Sequence, residues 1–185
     1  MSESVISDLL TDQTLIIEPF SPTILQLKVP DEFVTFMNGA GDNVLGDEKL
    51  SKQFDFSHEL VGKVSKEVNI PLYSEDQTKY VSNILRSACL EYINYMYSTH
   101  RGRISELKLA KGTVPTVDNI ELGSSWIVSQ YKGEYNPWHR HFGYLSGIIY
   151  LKIPDGMNEE YKKDQTDHHP TNGMVEFTFG EDHSN

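Results

Sequence analysis

The hydrophobic pattern changes its period along the chain, and this change limits the folds that the sequence can adopt. The first half is dominated by apolar residues at helical spacing, whereas residues 119–131, 144–153 and 174–179 are rich in β-branched and aromatic side chains. Helices followed by strands is the order of an α+β domain. Because we find neither an internal repeat nor a linker, we predict a single domain, in which residues 1–110 carry the first strands and the helices and residues 111–185 carry the β region.

The first half of the chain predicts two short strands and two helices before its clearest element. Residues 14–29 have a β pattern that prolines interrupt. A helix is predicted to begin at Pro30, because a proline followed by two acids is typical of a helix N-terminus, and to end at Gly39. The spacing of apolar residues over 60–68 predicts a second helix, which Pro71 ends.

The clearest element is a long amphipathic helix. The sequence Ser74-Glu-Asp-Gln77 fits a capping box, and apolar residues then recur at helical spacing up to about His100. This pattern predicts a helix of about seven turns. We interpret it as a helix that packs against a sheet, with a membrane-bound or partner-binding helix as the alternative.

Composition excludes several classes of protein. The N-terminal residues are acidic where a secretory signal is basic, and no window approaches the roughly 18 uninterrupted apolar residues of a membrane-spanning helix. We therefore expect a cytoplasmic chain without a membrane partner. The formal net charge of −11 disfavours binding to nucleic acid or anionic lipid. The single cysteine, Cys89, excludes an intramolecular disulfide and a thiolate metal cluster, and is interpreted as a small core residue.

Two histidines, His139 and His141, are separated by one residue within the β region. On an extended strand alternate side chains share a face, so both imidazoles are expected to point the same way. Two imidazoles on one face can occupy neighbouring positions on one metal ion, but imidazole binds Fe, Zn, Cu and Ni alike, so the pair alone does not name the metal. The alternative is that both are strand residues satisfied by hydrogen bonds.

The surrounding sequence extends this pattern. Over about residues 120–180 the chain resembles the 2-oxoglutarate- and Fe(II)-dependent oxygenases. The resemblance is to a group whose sequence runs approximately Trp, then Asn-x-x-His-x-His, then Ser-Gly-x-x-Tyr and a proline. The matching residues here are Trp126, Asn136, His139, His141, Ser146, Gly147, Tyr150 and Pro154.

This resemblance implies a fold and a metal centre. The fold is a double-stranded β-helix, a cupin-like jelly-roll, with the N-terminal helices packed on one sheet. His139 is implied as the first Fe(II) ligand and His141 as the second, where the wider superfamily has an Asp or Glu. An imidazole in place of a carboxylate leaves the site more positive. The implied activity is hydroxylation of a small molecule or a protein side chain, coupled to oxidative decarboxylation of 2-oxoglutarate to succinate.

Four further residues are implied to bind 2-oxoglutarate. Tyr131 precedes Gly133 much as a co-substrate-binding tyrosine does in prolyl-hydroxylase-like relatives, while Ser146, Tyr150 and Lys152 would share one face of the following strand. Three hydroxyls and an ammonium could then contact the co-substrate carboxylates. The alternatives are core residues for the hydroxyl-bearing side chains and a solvated surface residue for the lysine.

The resemblance also leaves parts of the family's site unmatched. The family has a distal histidine ligand and an arginine that binds the far carboxylate of 2-oxoglutarate, and neither motif follows Arg140. His168, His169 and His183 are the histidines that follow the pair. We therefore expect a chain that lacks the last strands of the β-helix. Two alternative functions stay open: a non-catalytic metal-binding module, and a cupin-like metalloenzyme that does not use 2-oxoglutarate.

Overall fold

The structure is a computed structural model that describes residues 15–17, 23–57, 62–99, 115–139, 141, 143–157 and 173–177. Its elements, in chain order, are β1 (Leu15–Ile17), β2 (Ile24–Gln26), α1 (Asp31–Gly46), α2 (Glu48–Gln53), β3 (Lys66–Asn69), α3 (Glu75–Thr99), a 3-10 turn (Val117–Asn119) and β4 (Trp126–Ser129). None of the helices in these ranges is both long and apolar enough to cross a membrane. His168, His169 and His183 lie outside the described residues.

Helix α3 confirms the clearest prediction from the sequence. The Ser74 hydroxyl oxygen accepts a hydrogen bond from the backbone N–H of Gln77 at 3.2 Å. The Gln77 side chain in turn accepts from the backbone N–H of Tyr73 at 2.7 Å, one residue before the position that an ideal capping box uses. These two bonds satisfy backbone donors at the N-terminus, and the helix then runs as predicted to Thr99.

Helix α1 is longer than the sequence predicts. The predicted end at Gly39 is wrong, because the helix continues through Gly41 to Gly46. Gly41 is buried, and a Cβ atom at this position would lie 3.3 Å from the Cδ1 atom of Ile127 in β4. The glycine therefore lets the helix approach the strand closely and does not end the helix.

The helix predicted over residues 60–68 is also wrong in the part that the structure describes. Residues Lys66–Asn69 form β3, which pairs antiparallel with β4. Both Glu67, 4% exposed, and Val68, 2% exposed, are buried, so the two faces of this strand are covered. The helical spacing that predicted the helix includes Val64 and Val68, but Val64 lies before the strand and only Val68 lies within it.

The hydrophobic core lies between α1, α3 and one face of the β3–β4 sheet. Phe33 and Met37 of α1 are buried against Val81 and Ile84 of α3, and Ile127 of β4 packs on this cluster. Phe33 is 1% exposed, and the centre of its ring lies 6.1 Å from that of Tyr80. The two helices thus cover one face of the sheet, and Glu67 and Trp126 lie on the other.

The β content of the described residues is small. The predicted strands within residues 14–29 are confirmed as the antiparallel pair β1–β2, and the predicted strand over 119–131 contains β4. Residues 144–153 and 174–177, which were predicted as strands, carry no regular secondary structure. Two sheets of two strands each do not test a double-stranded β-helix, so that fold stays a prediction.

Candidate metal centre

The segment that carries the two histidines is tied to the chain before β3. Lys63 and Tyr135 exchange both of their backbone hydrogen bonds, each at 2.9 Å. Just before this bridge Gly62 has a φ of +104°, and a Cβ atom there would lie 2.2 Å from the Cδ atom of Pro137 and 2.7 Å from the carbonyl oxygen of Tyr135. Only glycine fits this contact without displacement, so Gly62 sets the position of Pro137.

Pro137 in turn orients His139. The Nδ1 atom of His139 lies 2.7 Å from the carbonyl oxygen of Pro137. A carbonyl oxygen can only accept, so Nδ1 carries the proton and donates it. In the neutral imidazole the lone pair is therefore on Nε2, which is the arrangement that a metal ligand requires.

The two imidazoles face each other through these Nε2 atoms. The Nε2 atom of His139 lies 3.0 Å from that of His141. Their ring centres are 4.6 Å apart and the rings are almost perpendicular, at 81°. The prediction that the two side chains converge is confirmed, although neither residue lies in a regular strand.

The separation of the two Nε2 atoms can be compared with that expected around a metal ion. Two nitrogens at about 2.1 Å from one ion lie about 3.0 Å apart at a right angle and about 3.4 Å apart at a tetrahedral angle. The observed 3.0 Å therefore fits two adjacent positions of an octahedral ion, as non-haem Fe(II) requires. In the metal-free protein the same distance fits a hydrogen bond from His141 to His139.

The described residues supply two ligands and no complete set. In the part of the chain that the structure places, no group of three His, Cys, Asp or Glu side chains is arranged to hold a metal ion.

Partial burial, and then the positive charge of His139, lower the pKa of His141 from its ordinary value near 6.5. A neutral imidazole at neutral pH is the form that binds a metal.

Trp126 contacts His141 and connects it to Phe56 and to the buried carboxylate of Glu67. The ring centre of Trp126 lies 5.6 Å from that of His141, and Phe56 packs on the indole at 5.3 Å. Trp126 and Glu67 are diagonal neighbours on one face of the β3–β4 sheet. Burial raises the pKa of Glu67, while the positive charge of His139 and the nearby indole N–H of Trp126 oppose this shift. Sequence reasoning missed Glu67, because its strand was predicted as a helix.

Of the four residues predicted to bind 2-oxoglutarate, three are exposed and the fourth forms an ion pair elsewhere. Tyr131 is 58% exposed and Tyr150 54% exposed, and Ser146 is also exposed. The Lys152 ammonium lies 2.6 Å from both carboxylate oxygens of Asp42 in α1. No hydrogen bond or ring contact between described residues joins any of the four to the histidines, so their predicted role stays a prediction.

A cavity of about 370 Å³ lies beside the aromatic pair. Phe56, which packs on Trp126, forms part of its wall, together with apolar residues of α3 such as Val81 and Leu85. Asn69 and Ser125 are among its polar residues, and none of its lining residues carries a charge. The cavity therefore suits a ligand that is largely uncharged.

Comparison of the chain with known protein families, with curated proteins and with solved structures found no match.

Proposed function

We propose that this chain is a 2-oxoglutarate- and Fe(II)-dependent oxygenase of the hydroxylase type, with His139 and His141 as iron ligands. The observation that carries the proposal is the 3.0 Å separation of the two Nε2 atoms. It is joined by the hydrogen bond from Nδ1 of His139 to Pro137, which leaves the lone pair on Nε2. The sequence pattern around the pair supports the choice of iron over the other metals that imidazole binds.

The residues of the chain have separate tasks in this proposal. Fe(II) would supply the activation of dioxygen that is coupled to oxidative decarboxylation of 2-oxoglutarate to succinate. Trp126 packs beside His141, with 5.6 Å between the ring centres, and helps to hold the orientation of its imidazole. The hydroxyls of Tyr131, Ser146 and Tyr150 are proposed to bind the co-substrate carboxylates.

Lys152 is proposed to bind the co-substrate, and the cavity is proposed to bind the substrate. Lys152 would exchange Asp42 for a co-substrate carboxylate, and this exposed ion pair can be broken at a cost of about 1 kcal/mol or less. The uncharged cavity beside Phe56 favours a small apolar molecule or an apolar protein side chain as substrate.

The proposal is tested by succinate release in the presence of Fe(II), 2-oxoglutarate and dioxygen. The wild-type chain is expected to release succinate only when both iron and 2-oxoglutarate are present, and His139→Ala is expected to abolish the release. Glu91→Gln, a change at a buried carboxylate on α3, serves as the control and should retain the activity. Unchanged turnover in His139→Ala would refute the assignment of the site.

A specific observation favours a second function, a metal-binding module without turnover. Lys152, the cation proposed for the co-substrate, is bound by Asp42 in the structure. This alternative predicts that the chain binds a divalent metal at the histidine pair but consumes no 2-oxoglutarate. A cupin-like metalloenzyme would instead show activity that is indifferent to 2-oxoglutarate.

A further inference from the structure

Glu67 is buried on the face of the sheet that carries the candidate metal centre. In the β3–β4 register Glu67 pairs with Val128, and Asn69 pairs with Trp126. Paired residues share a face, so Glu67 and Trp126 are diagonal neighbours on one face, close enough for their side chains to meet. Glu67 is 4% exposed, so its carboxylate has been removed almost completely from water.

The Glu67 side chain is connected to the centre through Trp126. The ring centre of Trp126, its diagonal neighbour, lies 5.6 Å from that of His141. The Glu67 carboxylate also interacts electrostatically with His139. The carboxylate does not join the two imidazoles in a ligand set of three, so its effect on a bound ion would be exerted through these neighbours.

A buried carboxylate is costly unless a positive group compensates it. Removing one carboxylate from water carries a large free-energy cost in a protein. A divalent cation on two neutral imidazoles has the converse requirement, since neither ligand supplies negative charge. The position of Glu67 beside the pair satisfies both requirements together when the ion is bound.

We propose that Glu67 is the charge-compensating carboxylate of the metal centre, a positioning residue that acts through Trp126 and His139 and increases the affinity of the histidine pair for a divalent cation. This inference rests on metal binding by His139 and His141, as in the proposed function, but not on oxygenase activity. It assigns to β3 the negative charge that His141 does not provide.

The experiment is a titration of the metal-free 185-residue chain with Co(II), followed by calorimetry and by the visible absorption of the bound ion. Glu67→Gln keeps the size of the side chain but removes the charge. Its Co(II) affinity is expected to be about 10- to 100-fold weaker than that of the wild type. Glu91→Gln changes a second buried glutamate among the described residues, which is 8% exposed on α3, and should leave the affinity unchanged.

Two further variants separate charge from structure. Glu67→Asp keeps the charge and is expected to retain more affinity than Glu67→Gln, with an absorption spectrum closer to that of the wild type. Equal weakening in both variants, together with a lower unfolding temperature of both metal-free proteins, would overturn the proposal, because the effect would then be structural.

The remaining outcomes distinguish this inference from the proposed function. If His139→Ala loses Co(II) while Glu67→Gln binds as tightly as the wild type, the role of Glu67 is refuted and the metal centre stands. If the wild-type chain does not bind Co(II), the metal centre is refuted and the role of Glu67 with it.

Discussion

The contact between Gly62 and Pro137 gives a sharp prediction, because it links a backbone position to the orientation of His139. Gly62→Ala would place a Cβ atom 2.2 Å from the Cδ atom of Pro137 at a φ of +104°. An ordinary contact between carbon atoms is about 3.5 Å, so the two segments must separate by more than about 1 Å. Pro137 would then move relative to His139, whose Nδ1 donates to its carbonyl oxygen over 2.7 Å.

The structure sets the size of the expected effects. Holding alanine at this φ costs on the order of 1–3 kcal/mol, and the clash adds to that figure. In a chain of this length each kcal/mol lowers the unfolding temperature by about 2–4 °C. Loss of the hydrogen bond that orients His139 is expected to weaken Co(II) binding by about tenfold or more, as for other partners that orient metal ligands.

Gly39→Ala provides the matched control. Gly39 lies in α1, and a Cβ atom there meets nothing within 4 Å. This variant is expected to be more stable than the wild type by about 0.5–1 kcal/mol, with unchanged Co(II) affinity. Unfolding in urea and Co(II) titration measure both quantities. If Gly62→Ala behaved like Gly39→Ala in the two assays, the link from Gly62 to His139 would be wrong.

Two further predictions concern the core and a buried acid. Phe33→Ala, at a position 1% exposed, is expected to lower the free energy of unfolding by about 3–5 kcal/mol in urea denaturation. A loss below about 1 kcal/mol would contradict the assigned core. Burial raises the pKa of Glu91 above 4.5, so the folded protein binds more protons than the unfolded chain between 4.5 and the raised pKa. Stability from this group is therefore lost as the pH rises through that window. The free energy of unfolding of Glu91→Gln minus that of the wild type, measured in urea at a series of pH values, is expected to grow above pH 4.5 and then become constant. A difference that does not depend on pH would show that the Glu91 pKa is not raised.

Local signals account for what the sequence predicted correctly in the fold. Helix α3 was predicted because the Ser74 cap and the apolar spacing that follows lie within one stretch of chain. The predicted end of α1 at Gly39 is wrong, because glycine is a common but not a certain stop signal for a helix. The structure shows that Gly41, two residues later, allows the close approach of Ile127, which lies in a distant part of the sequence.

The same distinction applies to the candidate site. The spacing of His139 and His141 is local, and their convergence was predicted from it. Glu67 reaches the site only because β3 pairs with β4, about 60 residues later in the chain, and no local pattern reports such a pairing. The contact of Lys152 with Asp42 is likewise long-range, so the sequence could not show which carboxylate holds that ammonium.

The contact between Trp126 and His141 also allows the centre to be followed by tryptophan fluorescence. The chain has two tryptophans. Trp126 is partly buried with its ring centre 5.6 Å from that of the imidazole, whereas Trp138 is 74% exposed and emits as a hydrated indole. A paramagnetic ion on His141 would quench the indole of Trp126 at this distance. Once Trp138→Phe has removed the background signal, the fluorescence of the unlabelled protein reports directly on occupancy at His141.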